Sequence, residues 1–103
     1  MPGQNDAPTT PVSDGTKVTV PEHVLSRTVE SETVLLNLEN EHYYGLEGVG
    51  VRFWELMAAG ATFGAAVAAL LEEYEVDRDT LVADLNELVA DLRQHGLVLV
   101  DAA

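Results

Sequence analysis

The feature that most constrains this chain is a change of hydrophobic period inside one uninterrupted stretch, Thr33 to Met57, reading TVLLNLENEHYYGLEGVGVRFWELM. In TVLLNL, Val34, Leu36 and Leu38 share one face and Leu35 takes the other, which predicts a strand buried on more than one side. Glu39, Asn40 and Glu41 suit a short hairpin loop in which Asn40 would take the positive φ, and HYYGL returns as the next antiparallel strand. After Leu46 the period becomes that of a helix. Phe53, Trp54 and Met57, with Leu56 alongside, predict a helix from about Gly48 to Ala59, stopped by Gly60. Strand, turn, strand and helix follow one another with almost no filler.

The rest of the chain extends this plan on both sides. Residues Met1 to Thr16 are rich in Pro, Gly, Ser, Thr and Asp and offer little to bury, so residues 1–16 are expected to form a flexible arm ahead of one domain spanning residues 17–100. KVTVP reads as a short edge strand or lead-in, because Pro21 cannot donate to a ladder. HVLSRTVE reads as a strand with Leu25 and Val29 on one side and Val24, Ser26 and Thr28 on the other. Thr62 is placed to cap an Ala-rich second helix carrying Phe63, Ala66, Val67, Leu70 and Tyr74 at helical spacing. Asp77 is placed to cap a third helix, with Leu81, Leu85, Leu88 and Leu92 in one stripe, Val82 and Val89 beside it, and a stop at Gly96. LVLV closes the chain as a tail or strand. The expected class is therefore α+β, an N-terminal three-stranded antiparallel sheet followed by three helices, similar to a winged helix-turn-helix.

Charge and composition exclude several functions. Five Lys plus Arg against 18 Asp plus Glu give a formal charge of −13, which disfavours nucleic acid and anionic membrane surfaces. The third helix, which would enter the groove of a duplex, carries Asp77, Asp79, Asp84, Glu87 and Asp91 against Arg78 and Arg93. There is no Cys, so disulfides and thiolate metal sites are ruled out. His23, His42 and His95 fall on separate elements, and no metal or other cofactor is expected. No signal peptide and no apolar run of roughly 18 residues is present, so a cytoplasmic location is expected. A Gly-rich phosphate loop, a nucleophile elbow and a paired His and carboxylate at useful spacing are likewise missing, so the chain is not expected to be an enzyme.

Taken together, VLLNLENEHYYGLEGVGVRFWELM, the Thr-started Ala-rich helix and VDRDTLVADLNELVADLRQHGLV resemble the PqqD-like proteins. The resemblance covers about Val24 to Val98. It rests on Tyr44-Gly45-Leu46, on Gly50 three residues before Phe53-Trp54, and on Asp84 ahead of Leu85. Glu47 stands where the family often has Asn after that Leu, so a side-chain cap on the first helix is made by Glu47 or is absent. PqqD-like proteins are recognition elements for leader peptides of ribosomally made, modified peptides, and a free-standing chain of this length is similar to those of lasso-peptide pathways. The resemblance implies a leader with a Tyr-x-x-Pro motif as partner, presented to a leader peptidase and then a cyclase.

It further implies that the leader adds as a strand to the edge strand, in the cleft between that strand and the third helix. Exposed backbone groups supply affinity in such an addition, and pockets on either side supply selection. The expected site is His42, Tyr43, Tyr44, Gly45 and Leu46 for backbone pairing, with Val82, Leu85, Asn86 and Val89 as the apolar wall and Asp84 or Asp91 facing a basic leader residue. The alternatives are a winged-helix protein-interaction module with no peptide-processing role, or a peptide chaperone of the pyrroloquinoline-quinone type.

Overall fold

The computed structural model of the protein describes residues 15–101. The chain runs β1 (Lys17–Thr19), β2 (Val24–Val29), β3 (Glu32–Asn37), β4 (Tyr43–Glu47), α1 (Val49–Ala58), α2 (Phe63–Glu73), α3 (Arg78–Gln94) and β5 (Leu99–Asp101). Of the expected N-terminal arm, residues 1–14 lie outside the described residues. Thr16, its last residue, is buried, and its carbonyl accepts from the Phe63 N–H at 2.8 Å.

The three central strands form the expected antiparallel meander, in the order β2-β3-β4. Its register assigns each side chain to a face. Leu35 lies between Ser26 and Tyr44, and Thr33 between Thr28 and Leu46, on the face turned toward the helices. Leu35, Leu46 and Val24 are buried there with Phe53, Leu85 and Leu92. Leu36 lies between Leu25 and Tyr43 on the other face. The expectation that β3 buries its Val34, Leu36 and Leu38 face is therefore corrected: Val34 and Leu38 are exposed and Leu36 half-buried. All three helices follow the sheet and cover one face of it. The covered face is the one holding Leu35 and Leu46, whose neighbours Thr33 and Asn37 are satisfied by hydrogen bonds. Thr33 Oγ1 bonds to Thr28 Oγ1 at 2.8 Å, and Asn37 Nδ2 donates to the carbonyls of His95 and Gly96 at 3.1 and 2.9 Å.

The β3–β4 turn also differs in detail from the expectation. Glu41, not Asn40, takes the positive φ (64°). The Glu41 N–H donates to the Asn37 carbonyl and the Asn37 N–H donates to the His42 carbonyl, both at 2.8 Å, which sets two residues opposite one in a bulge with its first residue left-handed. Asn40 works through its side chain, accepting from the His42 N–H at 2.9 Å.

The first and last described strands meet. β1 pairs antiparallel with β5, setting Val18 opposite Val100, and Val18, Leu97 and Val98 are buried. The helices start and stop largely where local chemistry asks. Thr62 Oγ1 accepts from Ala65 N–H and Asp77 Oδ2 from Thr80 N–H, each at 3.2 Å, and Gly96 follows α3 at φ 70°. α1 has no side-chain cap: Gly48, at φ 61°, makes the turn out of β4, so Glu47 does not replace the family Asn. Phe53 and Phe63 pack edge to face at 6.0 Å where α1 meets α2, and Arg52 clamps the outside of that pair by donating to Glu73 at 2.9 Å.

Candidate functional site: the open edge of β4

Among the described residues, no strand pairs with the outer side of β4. In an antiparallel ladder, backbone groups of successive residues point alternately to either neighbour. Because Asn37 bonds to His42, the bonded pairs that follow are Leu35 with Tyr44 and Thr33 with Leu46. The N–H and C=O groups of Tyr43, Gly45 and Glu47 therefore point outward, and those of Tyr44 and Leu46 are engaged by β3. Of the five expected pairing residues, Tyr43 and Gly45 present backbone to an added strand. Glu47, one residue beyond the expected site, belongs with them. The alternation was legible; its phase depended on the bulge.

The side chains sort the same way. Tyr43 stands on the outer face, 75% exposed, whereas Tyr44 and Leu46 turn inward. A methyl group placed on Gly45 would meet nothing within 4 Å, so the outer face next to Tyr43 is open there.

Beside the end of β4, where α1 begins, a mostly apolar cavity of about 160 Å³ opens between α1 and α3. Val49 and Gly50 form one wall, Leu81, Leu85 and Leu88 the other, and Thr80 and Asp84 stand at its polar side. Gly50 leaves it room, since a Cβ there would lie 3.6 Å from Leu46 Cδ2 and 3.7 Å from Leu88 Cδ2. At the other end of β4 the Tyr44 hydroxyl donates to Asp91 Oδ2 at 3.3 Å. Burial first, then the charge and hydrogen bond of Asp91, push the Tyr44 phenol above its usual range. The His95 ring packs against both His42 and Tyr44 with centroids 5.6 Å apart, so two histidines that are distant in sequence share one end of the cleft.

The expected α3 wall is thus rearranged. Thr80, Asp84 and Leu88 line the cavity opposite α1, and Asp91, on the same flank of the helix, reaches Tyr44 of β4. Val82 and Asn86 lie about 160 to 200° round the helix from Asp84 and do not join them. Asn86 Nδ2 instead donates back to the Val82 carbonyl at 2.9 Å. Leu85 forms the floor of the cavity, and Val89, 1% exposed, is core. Leu88, expected in the core stripe, is half-buried beside Gly50 and forms part of the cavity wall.

Comparison with known proteins fits this geometry. The family model for coenzyme PQQ synthesis protein D (PqqD) matches residues 32–98. The solved structure of TbiB1 in complex with the TbiA(beta) leader peptide is 35% identical, covers 78% of this chain and 93% of that one, and superposes with a TM-score of 0.74. A lasso peptide synthetase B1 complexed with its leader peptide shares the fold at 22% identity and a TM-score of 0.73, covering 81% of this chain and 98% of that one. No curated protein matches. With well over half of its length matched by the family model, and a close structural relative at 35% identity, the chain belongs to the PqqD family and is a PqqD-like recognition element.

Proposed function

We propose that this protein binds the leader region of a ribosomally made precursor, in a lasso-peptide pathway, as an extra strand on the outer edge of β4. The observation that carries the proposal is the outward row of backbone groups at Tyr43, Gly45 and Glu47 beside an apolar cavity, in a chain similar to one solved with a leader peptide. Backbone pairing supplies affinity without regard to leader sequence, and the cavity supplies selection. Its volume matches that of cavities that take up a benzene ring, so it suits one ring of a Tyr-x-x-Pro leader. Asp84 at its rim and Asp91 further along α3 suit a basic leader residue, an exposed pairing worth up to about 1 kcal/mol.

The protein acts without catalysing a reaction itself. It holds the precursor for a leader peptidase, after which a cyclase closes the ring, and residues 17–100 form the recognition domain. A labelled leader titrated with the protein should give fluorescence anisotropy that saturates at micromolar concentration or below, about −8 kcal/mol. Absence of saturation at concentrations about 100-fold higher would refute the proposal.

A further inference from the structure

Two histidines far apart in the sequence meet where β4 begins. His42 closes the hairpin ahead of Tyr43, and His95 is the residue at which α3 ends. Their ring centroids lie 5.6 Å apart, and the His95 ring makes a second edge contact, with Tyr44, at the same distance. His95 Nδ1 lies 2.8 Å from the Asp91 carbonyl. A carbonyl only accepts, so Nδ1 carries the proton of that bond and Nε2 is the nitrogen that gains or loses one. The His95 carbonyl in turn accepts from Asn37 Nδ2 at 3.1 Å and from Asn40 Nδ2 at 3.4 Å. One residue at the end of α3 thus holds the hairpin by its ring and by its backbone.

The charged and titratable groups adjoining the two rings are few. On α3 they are Asp91 and Arg93, at the start of β4 Tyr43 and Tyr44, and in the turn Glu39 and Glu41. Ahead of β2 stands His23, whose Nδ1 lies 3.5 Å from Glu39 Oε2. Among the described residues, neither His42 nor His95 forms an ion pair. The Asp91 carboxylate, which already accepts from the Tyr44 hydroxyl, is therefore a single counter-charge beside two rings. With both rings uncharged, the edge contact between them is intact. With both protonated, two like charges stand across it and repel. Histidine is the side chain whose charge changes between pH 5 and 8.

We infer that His42 and His95 are a proton-sensitive latch on the leader edge: uncharged, the rings pack and hold the start of β4 to α3, and doubly charged, they part and weaken leader binding. The second half rests on the function proposed above. Tyr43, the first residue with outward backbone groups, follows His42 directly, and Tyr44 packs on His95, so parting the rings displaces the first rung that an added strand uses. His42 and His95 are positioning residues in this reading, acting on the leader through β4.

The test titrates the protein into rhodamine-labelled leader peptide of the same pathway, any histidine in it replaced by glutamine, at about pH 8 and about pH 5.5. Most carboxylates stay ionised across this window. For wild type, Kd from anisotropy should be at least about fivefold higher at the lower pH, the scale of an exposed charge pair. In His95→Gln and in His42→Gln only one ring is left to charge, so the ratio of the two Kd values should fall below about half the wild-type ratio. His23→Gln, which removes the other histidine beside the hairpin, should keep the wild-type ratio. A smaller wild-type ratio, a larger one in either of the first two variants, or a fall in His23→Gln would overturn the inference. Melting curves at both pH values identify any variant that fails to fold. In wild type without leader, a nuclear Overhauser effect between the His42 and His95 rings should be present at about pH 8 and absent at about pH 5.5. Its persistence at the lower pH would overturn the latch whether or not leader binds. Failure to bind leader at about pH 8 would instead count against the function proposed above.

Discussion

The hydroxyl of Tyr44 donates to Asp91 Oδ2 at 3.3 Å, tying β4 to α3 across 47 residues of chain. This bond joins the two elements at the hairpin end of the cleft. It also makes the phenol a reporter, because Asp91 opposes its ionisation after burial has already done so. A phenol pKa above the unfolded value of about 10 contributes stability that is present below that value and is lost as pH rises through the folded one. Asp91→Asn should lower the Tyr44 titration seen by phenolate absorbance, while burial keeps it above a free phenol. Tyr44→Phe should cost about 0.5 to 1.5 kcal/mol in a denaturant titration.

Alternation along β4 separates two proline variants. Gly45→Pro removes an outward N–H on an edge strand, where proline is tolerated, so it should leave the unfolding midpoint almost unchanged and weaken leader binding about tenfold. Tyr44→Pro removes a donor to β3 and should destabilise the fold itself. Equal thermal shifts for the two variants would mean that the phase of the ladder is the reverse of that described.

Gly50 lies in the first turn of α1 with space for a methyl group at ordinary contact distance from Leu46 and Leu88. Gly50→Ala should therefore stabilise the protein by about 0.5 to 1 kcal/mol through reduced backbone entropy of the unfolded chain. The same methyl narrows the cavity, so leader affinity should fall as stability rises. Calorimetry of free protein and titration with leader would measure the two effects separately.

Asn37 is buried and holds the hairpin to the end of α3 through the carbonyls of His95 and Gly96, while its Oδ1 accepts from the Glu39 N–H at 2.9 Å. Asn37→Ala leaves these groups without that partner and should cost on the order of 1 to 3 kcal/mol. Gly96→Ala should be comparably damaging, because a Cβ would lie 2.7 Å from Asn37 Nδ2 and the backbone is at φ 70°. Guanidinium denaturation of both variants would check this.

The legible parts of this protein were those with local causes. The switch of period at Leu46 places strand before helix, and Thr62 and Asp77 cap helices through their own side chains, so sequence neighbours settle those elements. The family resemblance directed the expected site to β4, which lies at an edge of the three-stranded sheet. The face of α3 was harder to read. The expected wall joins Val82 and Asn86 to Leu85, whereas the flank that lines the cavity and reaches Tyr44 carries Thr80, Asp84, Leu88 and Asp91, a helical stripe that hydrophobic periodicity does not select because three of its four members are polar.

By itself, then, the amino-acid sequence determined the order of the elements, their helical caps and the antiparallel meander, because short-range hydrophobic period and side-chain hydrogen bonds act within a few residues. Tertiary structure decided which face of β3 is buried and which backbone groups of β4 remain available. A strand with Leu35 on one side and Val34, Leu36 and Leu38 on the other is ambiguous until the helices cover one side. The phase of the β4 edge follows from a bulge at Glu41 and His42, closed by Asn37, whose side chain is held by the far end of α3. That long-range contact cannot be read from the hairpin alone.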